Sequence, residues 1–196
     1  EEAYPYSTAP LGIIRNDDYV ITVVMHRTEM IGDFISHADR KHIAVDNHPD
    51  FVLRLIFSST YWFLNYLKRI NERLAAAESD LRKSVRNSDL LNLMRLQKSL
   101  VLFNTSLQGN EVLLSRLKTA YGDAFDRELL EDVEIELQQA ENTVKVYAEI
   151  LDSTMDTYAS VISNNVNNIM KRMTAVSIVL MVPTLVASFY GMNVDV

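Results

Sequence analysis

The chain has 196 residues, a formal charge of −7 and no cysteine, which rules out a disulfide framework and a thiolate metal centre and argues against a nucleic-acid surface. Only 5 Gly and 4 Pro punctuate a composition rich in Leu, Met, Glu, Asn and Lys/Arg, so long helices are favoured over a sheet protein. That length holds one ordinary domain or one elongated assembly subunit.

The first residues, Glu1-Glu2-Ala3-Tyr4-Pro5, carry neither a basic n-region nor an apolar h-region and are not a signal peptide. Residues 11 to 25 place two β-rich runs around Asn16-Asp17-Asp18, which predicts a hairpin. A lone hairpin is marginal in water, so it is expected to be the edge of a larger sheet or to lean on a short helix near Glu29 to Ala38. A helix is expected from Pro49-Asp50, with Asp50 favourable in its first turn and Phe51, Leu55, Tyr61, Trp62, Leu64, Leu67, Ile70 and Leu74 forming a buried stripe, to about Val85. Asn87-Ser88-Asp89 then offers a break and a cap for a second helix through Leu90, Leu93, Met94, Leu96, Leu100, Leu107, Val112 and Leu117. The two make an antiparallel hairpin.

The chain turns again at Tyr121-Gly122-Asp123, and from about Phe125 no breaker occurs before Pro183. Leu130, Val133, Leu137, Ala140, Val144, Tyr147, Leu151, Thr154, Tyr158 and Val161 alternate steps of three and four, the seam of a helix bundle. Unbroken to Tyr190, such a helix has about 66 residues and spans roughly 100 Å. Towards its end the seam turns polar, at Asp156, Asn164, Asn167 and Asn168. Asn is a mediocre helix former, and water or a hydrated ion on a central axis would compensate; a solvated stalk collar is the bland alternative. After Lys171-Arg172, the run Met173 to Tyr190 carries no charge, and its 18 residues cover about 27 Å, close to the hydrocarbon thickness of a bilayer. Within it Thr174, Ser177, Met181, Thr184 and Ser188 recur at helical spacing. A lipid-facing helix has no use for such a stripe, whereas a pore does.

The order of a basic pair, an apolar helix containing Pro183-Thr184, and a terminal Tyr190-Gly191-Met192-Asn193 resembles the CorA family of divalent-cation channels, whose signature is Gly-Met-Asn at the outer end of the first membrane helix. The wording Met181-Val182-Pro183-Thr184-Leu185-Val186-Ala187-Ser188 before it is similar to the bacterial magnesium-transporting branch. The resemblance implies a homopentamer in the cell membrane with most of the chain cytoplasmic, and passive transport of Mg2+, which also serves as regulator. It places Asn167, Met170, Thr174, Ser177, Met181, Thr184 and Ser188 along the pore and Asp156 in an acidic ring nearer the cytoplasmic mouth. Gly191, Met192 and Asn193 would form the selective entrance, where neutral amide and carbonyl oxygens hydrogen-bond a hydrated ion without stripping it. Gly191 is expected to take the backbone conformation that ends a helix. Asp132 maps onto the family's inter-subunit regulatory metal site, although an acidic first turn containing Glu128, Glu131, Glu134 and Glu136 is equally good helix design. Lys171-Arg172 fits the cytoplasmic side.

The implied organisation is a mainly α chain: residues 1–48 the remnant of a cytoplasmic α/β domain, 49–120 the helical hairpin, 121–172 the stalk, 173–190 the first transmembrane helix and 191–196 the outer signature. The resembled family extends beyond both ends, so the chain is expected to be a fragment. A tail-anchored helical tether explains the length, the seam and the span but not the polar stripe or the signature; a zinc-transporting relative is the other contender. His26, His37, His42 and His48 lack compact ligand spacing and read as surface histidines. Neither a phosphate-cradling Gly-rich loop nor a nucleophile elbow is found, and no enzyme, nucleic-acid partner or organic cofactor is expected.

Overall fold

The structure is a computed structural model that describes residues 4–16, 19–41, 48–81 and 87–191. The β-rich runs pair as expected. β1 (Leu11–Arg15) and β2 (Val20–Val24) are antiparallel, with Leu11 opposite Val24 and Arg15 opposite Val20. The Asn16 N–H donates to the Tyr19 carbonyl at 2.9 Å to close the turn, of which residues 17–18 lie outside the described residues. One face of the hairpin carries Ile14, Ile21 and Val23, all exposed, and no third strand joins it among the described residues.

Among the described residues four helices follow: α1 (Glu29–Lys41), α2 (His48–Leu81), α3 (Asn87–Tyr121) and, after a 3-10 turn at Gly122–Ala124, α4 (Arg127–Tyr190) of 64 residues. The sequence extends the first long helix to about Val85, but α2 is described only to Leu81 and residues 82–86 lie outside the described residues. Asp126 is the N-cap of α4: its Oδ1 accepts the Glu128 N–H at 2.9 Å and the Leu129 N–H at 3.4 Å. Its own N–H donates to Asp50 Oδ1 at 2.9 Å. The first-turn carboxylate of α2 therefore also fixes the start of α4, a role that helix-dipole reasoning does not reveal.

The chain divides into two compact units, Glu1–Ser153 and Thr154–Val196. In the first, α2, α3 and the beginning of α4 bury a core of Leu53, Leu55, Leu67, Ile70, Leu74, Leu93, Leu100, Phe103, Leu107, Val133, Leu137, Ala140, Val144 and Leu151. Each fully buried aliphatic or aromatic side chain contributes roughly 1.5–3 kcal/mol relative to exposure. Lys118 Nζ meets Glu134 Oε1 at 2.6 Å, and Gln97 Nε2 donates to Asp152 Oδ1 at 2.7 Å, so α3 and the first part of α4 run antiparallel. In the second unit Thr154 and Tyr158 are also buried, and Val161 is half-buried. The three-four seam is thus realised from Leu130 onward, with Tyr147 half-buried.

Tyr61, expected in the buried stripe, is corrected, and two apolar residues of the second long helix are exposed as well. Tyr61 is 54%, Val112 53% and Met94 41% exposed. Tyr61 and Met94 stand beside the buried row instead of in it, Met94 following the buried Leu93 by one residue, about 100° around the helix, while Val112 lies about 200° from the buried Leu114. A list of apolar residues drawn along one helix is wider than the stripe its neighbours can cover.

Candidate functional site

The apolar end of α4 is the one helix among the described residues long and apolar enough to cross a membrane: an 18-residue window has mean hydropathy 1.8, and none of it is buried. Asp156 and every residue from Ser163 to Gly191 are exposed, so Asn167, Met170, Thr174, Ser177, Met181, Thr184 and Ser188 stand together on an uncovered helix. From Met170 to Ser188 they advance by steps of four, three, four, three and four. Steps averaging 3.5 residues keep one wall of a helix aligned where helices coil gently around one another.

Three hydroxyls on this wall point their protons back into the helix. Thr174 Oγ1 donates to the Met170 carbonyl at 2.9 Å, Ser177 Oγ to Met173 at 2.9 Å and Thr184 Oγ1 to Leu180 at 2.8 Å. With its proton engaged, each oxygen offers lone pairs outward. That polarity suits a hydrated cation, because the water shell of the ion presents hydrogens. Pro183 lacks an N–H and leaves the Val179 carbonyl without its usual helical donor, on the side of the helix away from this wall.

Gly191 corrects one expectation. α4 ends at Tyr190, just before it, but the φ of Gly191 lies outside the left-handed region, and its N–H donates to the Ala187 carbonyl at 2.9 Å to close the last helical turn. A Cβ there would lie 3.3 Å from the Ala187 oxygen, so close backbone approach is what glycine provides at this position. Met192 and Asn193 lie outside the described residues.

Asp132 is exposed on α4, as are Glu128 and Glu131. Of the remaining first-turn acids, Glu134 is engaged by Lys118. Among the described residues no group of three or more His, Asp or Glu side chains gathers closely enough to hold a metal ion, His26, His37 and His48 included; His42 lies outside them.

A carboxyl pair that sequence reading missed bridges α3 and α4. Glu141 is only 8% exposed, its Oε1 is buried with no hydrogen-bond partner, and Glu111 lies within hydrogen-bonding reach. Burial, then the negative charge of Glu111, raises the Glu141 pKa above the usual carboxyl range against the opposing pull of Lys145. The two glutamates are 30 residues apart, and only the antiparallel helix register brings them together. Because the folded pKa exceeds the unfolded one, the stability linked to this proton is full below the usual carboxyl pKa and is lost as pH rises through the folded value. Glu141→Gln is therefore expected to raise stability at pH 7 and to flatten the stability profile above pH 4.5. Thermal melts of the chain in neutral detergent between pH 4 and 8 read this; a variant no more stable than the parent at pH 7 would contradict it.

A family model described as CorA-like Mg2+ transporter protein matches residues 1–196. Among similar proteins, the cobalt/magnesium transport protein CorA of Methanocaldococcus jannaschii is 28% identical over 193 residues, 95% of this chain and 61% of that protein. Its namesake in Thermotoga maritima is 24% identical over 132 residues, 66% of this chain and 38% of that protein. The complete structure of the CorA magnesium transporter from M. jannaschii superposes with a TM-score of 0.74 at 22% identity, covering 96% of this chain and 65% of that one. The structure of the soluble domain of the same protein gives 0.68 at 24% identity, covering 77% and 63%. At these identities the structural likeness carries the fold, and the chain spans about three-fifths of the M. jannaschii relative.

Proposed function

The chain belongs to the CorA-like Mg2+ transporter family, and from that membership we propose that it is part of one subunit of a homo-oligomeric membrane channel for passive uptake of Mg2+ and related divalent cations. The observation that carries the reading is the single wall of hydroxyl and thioether groups on an otherwise uncharged, wholly exposed stretch of α4 of membrane-spanning length, which Met170 and Asn167 continue beyond Lys171-Arg172. A tether has no use for acceptor oxygens aligned at a supercoil period, whereas in a ring of five such helices they would line an axis.

In this reading Asp156 collects cations near the cytoplasmic mouth. Asn167, Met170, Thr174, Ser177, Met181, Thr184 and Ser188 line the passage, and Gly191, Met192 and Asn193 form the outer entrance. Magnesium surrenders its water reluctantly, so acceptors that bond the shell, not the ion, allow entry and release. Asp132 is the regulatory position: with a carboxylate of a neighbouring subunit it would hold Mg2+, whose charge would offset the repulsion between the two acids. Ile135 and Val146, both about half exposed on α4 beside Gln139 and Asn142, give copies of the chain an apolar strip on which to associate.

The test is flux into liposomes by the full-length protein. Asn193→Ala is expected to lower Mg2+ uptake at least ten-fold, about 1.4 kcal/mol in the barrier. Competition by Co2+, Ni2+ and Zn2+ ranks the ions, and better competition by Zn2+ than by Co2+ would move the assignment to a zinc transporter. Uptake no faster than in protein-free liposomes would leave the tether.

A further inference from the structure

Away from the polar wall, the residues Tyr4 to Tyr6 lie against α2 and α3 and hold a group of cations. Buried Ser99 pins the segment at Tyr6: its Oγ accepts the Tyr6 N–H at 3.3 Å and donates to the Tyr6 carbonyl at 2.8 Å. The Tyr6 ring then meets Tyr66 at 5.5 Å and Phe103 at 6.4 Å between centroids. On this aromatic shelf sit three cations. Arg69 Cζ lies 5.1 Å from the Tyr66 centroid, Arg73 Cζ 5.1 Å from Tyr6, and Lys98 Nζ 5.4 Å from Tyr4.

Tyr66, Arg69 and Arg73 follow one another by three and four residues and share a face of α2. Lys98 stands beside Ser99 on α3, with Arg95 one turn away. Along 68–73 and 95–98 there are five Lys or Arg against one carboxylate, Glu72, within a chain whose net charge is −7. Among the described residues the only close ion pair is that of Lys118 with Glu134, and no described carboxylate forms an ion pair with Arg69, Arg73 or Lys98. Two acids on other elements stand near the group: Glu29 on α1 accepts the Tyr66 hydroxyl at 3.3 Å, and Asp152 on α4 accepts from Gln97, beside Lys98, at 2.7 Å.

A guanidinium lying over a ring uses its face for the cation–π contact and leaves its in-plane N–H donors open. Those forked donors match the oxygens of a phosphate. Holding both arginines on rings that are themselves pinned removes much of the side-chain ordering cost of binding. We propose that Arg69, Arg73 and Lys98, carried on Tyr66, Tyr6 and Tyr4, form a binding site for a phosphate-bearing anion. The site is separate from the proposed pore, and its existence does not depend on transport.

The chemistry is shared by inorganic phosphates and by phospholipid headgroups, and two probes distinguish them. The full chain in neutral detergent, free of Mg2+ and at low ionic strength, is titrated by calorimetry with pyrophosphate and with a short-chain phosphatidylglycerol below its micellar concentration. Saturable binding of either probe is expected, weakening with salt. Tighter pyrophosphate identifies a free phosphate as the ligand, and tighter phosphatidylglycerol a headgroup. Arg69→Gln/Arg73→Gln should lower affinity at least ten-fold, whereas Arg116→Gln, on exposed α3 surface elsewhere, should not. If the cations only brace the N-terminal segment, the double variant changes the melting temperature and leaves binding intact. That result, or no saturable binding of either probe to the parent chain, overturns the proposal.

Discussion

A lysine in place of Ser177 is expected to abolish divalent-cation flux through the full-length protein, whereas alanine at the same position should retain most of it. A single positive charge and a doubly charged ion at roughly 6 Å repel by about 5 kcal/mol at an effective dielectric near 20. With about 1.4 kcal/mol per factor of ten, one ring position then slows passage on the order of 10³-fold. Ser177→Ala removes only one outward acceptor, whose loss a water molecule can offset. A lysine in a membrane segment also penalises insertion, so a second variant separates the two effects. Val179 stands about 200° around the helix from Ser177 and is 68% exposed. Val179→Lys carries a comparable insertion cost without placing charge on the wall. Flux per membrane-inserted molecule should therefore survive in Val179→Lys and vanish in Ser177→Lys. Equal flux in the two variants would show that the wall at Ser177 does not face the ion.

Much of the architecture was readable because periodicity and punctuation agreed. The hairpin followed from β-branched runs around Asn16, and the long α4 from the absence of any breaker before Pro183; its seam was legible residue by residue from Leu130 to Tyr158. Where the reading erred, it asked of periodicity what only neighbours decide. Tyr61, Met94 and Val112 are apolar residues on helices whose covered face is narrower than their apolar face. The Asp126 cap had a signal that went unused, an Asp immediately before a leucine-bearing helix with an acid in its first turn.

The polar wall was legible as well, since helical spacing in an uncharged run is a local property. What that spacing could not convey is that Thr174, Ser177 and Thr184 all bond back to their own helix, which turns hydroxyls that could donate into outward acceptors. Contacts between distant segments were invisible. Nothing in the local sequence announces that Glu111 meets Glu141, that Asp50 reaches the Asp126 amide, or that Tyr6 rests on Tyr66 and Phe103. Each depends on the antiparallel register of long helices, a quantity set by the sum of many packing contacts.

Phe103 tests how that register is held. It is 1% exposed and meets Phe63 edge-on at 5.1 Å, with Tyr6 and Tyr66 each at 6.4 Å, so one side chain joins α3 to α2 and to the N-terminal segment. Phe103→Ala should cost about 3–5 kcal/mol, the transfer of a buried ring plus the cavity it leaves. Ring-edge contacts add to that figure, since each aromatic pair contributes about 0.5–1.5 kcal/mol beyond its buried area. For a chain of this size the melting temperature of the first unit, followed by near-ultraviolet circular dichroism in detergent, should fall by roughly 10 °C. Val112→Ala, on the same helix but 53% exposed, should move it by no more than about 2 °C. Because Tyr6 rests on the Phe103 ring, the large variant should also loosen the N-terminal segment and expose it to proteolysis. A Phe103→Ala protein that melts with Val112→Ala would mean that α2 and α3 are not joined through this ring, and the packing that positions Arg69 and Arg73 would fall with it.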